Sequence, residues 1–257
     1  MTSKNKVVVV GLGEIGKPLF DLVSKSNFAV GVDISPVGRI GEVDILHVCY
    51  PFNIRDFIGE TTRYIELFNP ALTIINSTVA IGTTREIAQR TGADVVNSPV
   101  RGKHIRMLED LQAYTKFVGA MDAKAGNRAA EHFESTGLKT KVLSSPEATE
   151  LAKLTETTYF GVMIAWAQEV ERYCDQSGQD YSEVVSFYDE INFFPPVKYF
   201  PGIIGEHCVM PNINILNKYA HSVFLDALQT SNKMKTEREA RNREVASKNV
   251  AAVPVGA

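Results

Sequence analysis

Cysteine is scarce in this chain of 257 residues: only Cys49, Cys174 and Cys208 occur, an odd number without motif spacing. That argues against a disulfide framework and for a reducing compartment, with the cytoplasm as the expected location. A surplus of charge is also missing. The formal net charge is −3, which gives no reason to expect a nucleic-acid or anionic-membrane partner. No apolar run is long enough to span a bilayer, and the residues from Met1 to Asn5 do not read as a signal peptide. No spacing of ligand residues points to a metal. What the chain does have is an ordinary apolar content of 44%, enough to build the core of one large or two modest domains.

The stretch Ser145–Gly178 organises the rest and reads as one long helix. Pro146 suits a first helical position, because its missing N–H costs no helical bond there, and Gly178 suits a stop. Between them Leu151, Leu154, Tyr159, Val162, Met163, Trp166, Val170 and Tyr173 recur at steps of three and four. Glu150, Lys153 and Thr157 share one edge of it. Taken by itself, Lys153 reads as a solvated surface lysine.

The amino-terminal half alternates strands with helices. Lys6–Val10 opens onto Gly11-Leu-Gly13-Glu14-Ile15-Gly16 and a helix near 15–26, the strand–turn–helix order of a dinucleotide site. There the first glycine permits the tight turn, the second lets backbone approach a pyrophosphate, and the third allows helix and strand to pack closely. Phe28–Asp33 ends in an acid at the distance expected of a group holding a ribose diol. That acid would repel a 2′-phosphate, so NAD is expected rather than NADP. The bland alternative is a structural turn followed by an ordinary strand-end aspartate. Residues 34–43 are too few for a full crossover helix.

Further strands are expected at 44–49, 71–76, 94–97, 114–120 and 139–143, with helices at 53–68, from about 82, and at 122–135. Cys49 reads as a small buried hydrophobe. This pattern predicts an α/β fold: a doubly wound Rossmann-type parallel sheet over residues 1–143. Its ligand should lie beyond the carboxyl ends of the strands, where Gly11, Asp33, Tyr50, Pro51, Ser77 and Pro99 fall. The basic loop 98–104 brings Arg101 and Lys103 as candidates for holding substrate.

An all-helical part is expected over 144–232, followed by a charged helical tail from 233 whose end, from 250, reads as disordered. Helices are expected at 180–191, 213–228 and 232–249, and residues 192–212 read as a loop rich in proline and glycine. His207 and Cys208 lie in that loop. By composition Cys208 is more readily incidental than reactive, although a partly exposed thiol near cations can serve as a nucleophile.

Taken in order, five segments resemble the UDP-glucose/GDP-mannose dehydrogenase family. They are the opening turn from Val10, the segment from Asn76 through Ser77-Thr78-Val79 to Thr84, Asn97-Ser-Pro-Val-Arg101, Glu150-Leu-Ala-Lys153 and Gly202-Ile-Ile-Gly-Glu-His-Cys208. The resemblance implies NAD-dependent oxidation of a sugar primary alcohol, with Cys208 as nucleophile and Lys153 as oxyanion stabiliser. Thr78 would be the threonine associated with the catalytic water, and His207 and Asn212 would lie near substrate. It also implies a homodimer built on the 145–178 helix.

Three positions depart from the family: Val100 replaces a glutamate, Thr157 an asparagine and Asn212 an aspartate, all on the machinery that handles water. The family's carboxy-terminal nucleotide-sugar-binding domain is expected to be absent. Two alternatives stand beside this reading. One is a one-step enzyme in the manner of β-hydroxyacid dehydrogenases; the other is a non-catalytic NAD-binding scaffold.

Overall fold

The structure is a computed structural model and describes residues 4–33, 40–102, 104–190, 201–205 and 209–251. Lys103, His207 and Cys208 lie outside the described residues, as do 34–39 of the short crossover, most of the 192–212 loop and the last six residues. The chain divides into two units, Met1–Lys153 and Leu154–Ala257.

The first unit is built on a seven-stranded sheet. In chain order the strands are β1 (Lys6–Val10), β2 (Phe28–Val32), β3 (Ile45–Val48), β4 (Leu72–Ile75), β5 (Val95–Asn97), β6 (Lys116–Gly119) and β7 (Thr140–Leu143). In space they run β2-β1-β3-β4-β5-β6-β7. The order reverses direction between β1 and β3, and such a switch point opens a crevice at the carboxyl ends of the strands. Val7–Val10 of β1 and all four residues of β3 and of β4 are buried. Strands covered on both faces read as continuous apolar runs, as these largely do.

One face packs on α1 (Gly16–Val23) and α5 (Ala123–Ser135) through Leu19, Leu22 and Phe133. The other packs on α2 (Phe57–Phe68) and α3 (Thr83–Thr91) through Phe57, Ile65, Phe68 and Ile87.

Four local features depart from the expectations or add to them. α1 ends at Val23, before the expected Ser26. α2 starts at Phe57 instead of 53, because Asp56 caps it by accepting from the Gly59 N–H at 2.8 Å. A 3₁₀ turn (His104–Arg106) and α4 (Met107–Ala113) follow the basic loop, over residues to which no element was assigned. Finally, β6 runs antiparallel to β5, with Asn97 opposite Gly119, in a sheet expected to be wholly parallel. The Ser98 hydroxyl donates to the Phe117 carbonyl at 2.7 Å, so the chain is tied back on itself directly at the end of β5.

In the second unit α6, a helix over Pro146–Ser177 that begins in the first unit, is followed by α7 (Tyr181–Ser186), a 3₁₀ turn (Phe187–Glu190), α8 (Val209–Tyr219) and α9 (Val223–Ala251). The last two helices were expected to part near 229–231. They part at 220–222 instead, where Asn217 accepts from the Ser222 N–H and donates to Asp226, both at 2.7 Å. Residues 229–231 fall inside α9. Ala165, Ile204, Val209, Ile213, Leu225 and Leu228 form the core of this unit, and Gly161 permits it, since a Cβ there would lie 2.7 Å from Val209.

Candidate functional site: the carboxyl edge of the sheet

The turn after β1 has the shape its glycines imply. Gly11 has φ +86, a conformation that disfavours any Cβ. A Cβ there would also stand 2.7 Å from the Tyr50 nitrogen, and one on Gly16 would stand 1.7 Å from the Gly11 carbonyl. Gly13, by contrast, is exposed, with nothing within 4 Å of where a Cβ would be. The turn is closed underneath and open above, so an anion can reach its backbone.

α1 begins at Gly16 with no side-chain cap at that end, an end favourable to negative charge. Glu14 is exposed and Ile15 half-buried beside that end, and Asp33 is exposed just past β2. These residues fit a dinucleotide.

The neighbouring strand ends complete the edge. Tyr50 follows β3; its hydroxyl is 2.5 Å from Thr61 Oγ1, and burial raises its pKa. Pro51 beside it is exposed. The Ser77 hydroxyl donates to the Tyr50 carbonyl at 2.6 Å, tying the end of β4 to that of β3, and Thr78 next to it is half-buried. Val100 is buried against Met107, Leu111 and Ile15, an apolar contact just past the end of β5. The Arg101 guanidinium lies over the rings of Tyr114 and Phe117, 5.4 and 5.6 Å from their centres.

Lys153 is half-buried on the second turn of α6. Two contacts anchor the first turn of that helix. The Thr149 hydroxyl donates to Asn97 Oδ1 at 2.7 Å. The Glu150 carboxylate accepts from the Gly82 N–H (2.7 Å), the Thr84 N–H (2.9 Å) and the Thr84 hydroxyl (2.6 Å). It thus caps α3, whose own N-cap glycine has no side chain to do so. Burial nevertheless outweighs those bonds and raises the Glu150 pKa. Arg85 adds a forked pair to Glu147, at 2.6 and 3.0 Å. Lys153 therefore stands on a helix fixed to both β5 and α3, the helix that follows Thr78. Thr157 is half-buried one helical turn further on, and Asn212 is buried in α8, each within the second unit.

The deeper polar residues gave little sequence signal. His47, Asn76 and His132 are buried and linked: Asn76 Nδ2 lies 3.0 Å from His47 Nδ1, and His47 Nε2 lies 2.9 Å from His132 Nε2. If the amide donates, His47 carries its proton on Nε2 and His132 carries its own on Nδ1. Burial lowers the pKa of both, that of His132 to about 4. A histidine inside an apolar strand was the available clue. The other is Lys116, opening a strand otherwise apolar.

Residues 147–237 match the model of the UDP-glucose/GDP-mannose dehydrogenase family, central domain. In that stretch the chain is similar to the family's central domain. Among its relatives, the UDP-N-acetyl-D-mannosamine dehydrogenase of Methanocaldococcus jannaschii is 25% identical over 79% of this chain. The match spans 59% of that relative's length.

The solved structure of the Pyrococcus horikoshii UDP-D-ManNAc dehydrogenase shares the fold of this chain. Its TM-score is 0.78 at 22% identity, covering 95% of this chain and 71% of the other. A Mycobacterium tuberculosis 3-hydroxyisobutyrate dehydrogenase also shares it, with a TM-score of 0.69 at 17% identity over 93% of this chain and 94% of that one. Among the described residues, no helix of the chain is long and apolar enough to cross a membrane, and no group of histidine, cysteine and acidic residues is placed to hold a metal.

Proposed function

We propose that this chain is an NAD-dependent oxidoreductase acting on an alcohol, either a nucleotide sugar or a smaller sugar-like molecule. The observation that carries the proposal is the glycine turn, closed beneath by Tyr50 and Gly11 and open above Gly13. The backbone from Gly13 to Gly16 and the start of α1 would hold the pyrophosphate, Asp33 the adenosine ribose, and Tyr50, Pro51 and Ser77 the wall beyond it. When bound, NAD supplies the hydride acceptor. Lys153 then stabilises the alkoxide left as the alcohol loses its proton, a role that asks for a fixed cation, and Glu150 and Thr149 keep its helix in place. Cys208 is the nucleophile that would trap an aldehyde, and Thr78 would hold the attacking water. Arg101, Lys103, His207, Asn212 and Thr157 complete the proposed substrate side.

Val100 favours a second reading. Its burial among Met107, Leu111 and Ile15 offers no carboxylate to activate water, so oxidation would stop after one hydride transfer, and Cys208 would be dispensable. Counting NADH per substrate separates the two. One NADH with aldehyde or ketone as product supports the one-step reading. Two NADH with carboxylate as product supports the cysteine route and removes the argument from Val100. No turnover with any alcohol, despite NAD binding, would leave the scaffold reading.

The same proposal includes a second copy of the chain as partner. Tyr159, Trp166 and Tyr173 recur every seven residues along one stripe of α6 and are 53, 55 and 60% exposed. Large aromatics on one stripe suit the centre of an interface.

A further inference from the structure

We propose that the outer edge of β2 is a self-complementary surface that pairs, antiparallel, with β2 of a second copy of this chain. The pairing is separate from the aromatic stripe of α6 and depends on no reaction. β2 ends the sheet: it is bonded to β1 on one side, and among the described residues no strand lies on the other. In a dinucleotide-binding sheet a further strand ordinarily flanks the second one. Here the chain goes on from β2 to β3, on the far side of β1, with only residues 33–44 between them.

The pleat decides which groups face outward. The Phe28 N–H donates to the Asn5 carbonyl at 3.0 Å, and the Val32 carbonyl accepts from the Gly11 N–H at 2.8 Å. Phe28, Val30 and Val32 therefore turn their backbone groups toward β1. Successive residues alternate, so Ala29 and Gly31 turn theirs outward. Such a row is a template for another strand unless something blunts it. The opposite edge is blunted: β7 carries Lys141 and follows Lys139, both exposed. β2 reads Phe-Ala-Val-Gly-Val, with neither charge nor proline, and its Phe28 is 66% exposed.

The strand that fits this edge is its own copy. With a two-fold axis at Val30, Ala29 of each copy stands opposite Gly31 of the other, and each such pair exchanges both backbone bonds. Phe28 then lies across from Val32 of the second copy, an aromatic beside a β-branched residue in the closer, non-bonded kind of pair. The ends match in charge as well. Lys4 is exposed, with its ammonium 5.6 Å from the centre of the Phe28 ring, and Asp33 is exposed one residue past β2. The same register sets Asp33 of the second copy opposite Asn27, on the Lys4 side. The two-fold axis makes this match at both ends at once. Strands this short bury little area, so the association is weak, on the order of 100 µM.

The test uses Trp166→Glu, which removes the α6 stripe as a route to pairing, at protein concentrations from about 5 to 500 µM. Sedimentation velocity should show monomer at the low end turning into dimer at the high end. Over the same range, amide hydrogen exchange read by NMR should slow several-fold at Ala29 and Gly31 and stay unchanged at Phe28, Val30 and Val32. Adding Ala29→Pro, which deletes an outward N–H and no bond to β1, should keep the protein monomeric throughout. Phe28→Lys, at an exposed site, removes both cross-strand pairs and should weaken association about tenfold. Monomer at every concentration would overturn the proposal and leave the edge to a strand of another protein. Dimer with unchanged exchange at Ala29 and Gly31 would overturn it too, by putting the contact elsewhere. If Ala29→Pro does not fold, Phe28→Lys decides, and association as tight as without it overturns the proposal. Neither NAD nor substrate is present, so failure of the dehydrogenase reading would leave this result standing.

Discussion

The two units solve the burial problem by different means. The first hides whole strands: Val7, Val8, Leu46, Leu72, Ile74 and Ile75 are fully buried, and helices cover both faces of the sheet. The second has a smaller apolar centre and stitches its helices with polar groups. Gln168 donates to the Gly202 carbonyl at 2.6 Å and accepts from Ser231 at 3.0 Å. Asn232 accepts from the Ile204 N–H at 2.7 Å and donates to the Ile204 carbonyl at 3.2 Å. Lys235 pairs with Glu171 at 2.6 Å and Arg238 with Asp175 at 2.5 Å. Apolar burial scales with area and tolerates approximate matching, whereas a buried polar bond works only if its geometry is met. The first unit is therefore a rigid platform for a site, and the second depends on a few particular side chains.

The comparison is broken most severely by emptying the first unit's core. Phe133 is fully buried beneath the sheet, and Phe133→Ala should lower stability by about 3–5 kcal/mol, measured by urea unfolding. A loss near 1 kcal/mol would mean that this core is not the rigid one.

Acid should act next. The unfolded histidines take up protons at about 6.5, while folded His132 resists until about 4 and His47 is also lowered. The unfolded state then binds more protons, so stability falls as pH drops below 6.5 and the loss levels off below about 4, amounting to a few kcal/mol. Thermal melts from pH 7 to 4 check this, and His132→Gln should flatten the slope. Lys116 works in the same sense higher up, since its folded value of about 7 lies below its unfolded one: stability from this group rises with pH between about 7 and 10.4.

In the second unit, Asn232→Ala strands the Ile204 backbone groups and should cost about 1–3 kcal/mol. Asn232→Asp, keeping the acceptor but losing the donor, should fall between. If alanine is tolerated, the polar stitching is ornamental. Smallest in stability is Trp166→Glu, within about 0.5 kcal/mol for an exposed site, yet light scattering should show a dimer of the wild type turn into monomer. A wild-type monomer at micromolar concentration contradicts the proposed pairing.

The same contrast explains what could be read beforehand. The strands of the first unit were legible because an apolar run bounded by turn residues has few other uses, and the glycine turn because each glycine answers a backbone requirement. The reversal of β6 was not legible, since the contacts that tie it to the end of β5, such as Ser98 to Phe117, join residues 19 apart. Nor was the break between α8 and α9 at 220–222, made by an Asn217 side chain acting over five and nine residues. Lys153 was visible as a residue but not as a fixed one. Its anchoring through Glu150 joins positions 66 and 68 residues apart, and Lys116, buried among carbonyls, looked like any strand-edge lysine.

The account stands on the open glycine turn and the acid at Asp33. Isothermal titration of the chain with NAD and with NADP tests both together. NAD should bind with NADP at least tenfold weaker, and Asp33→Asn should narrow that gap. Equal affinity for the two, or no binding of either, would contradict it.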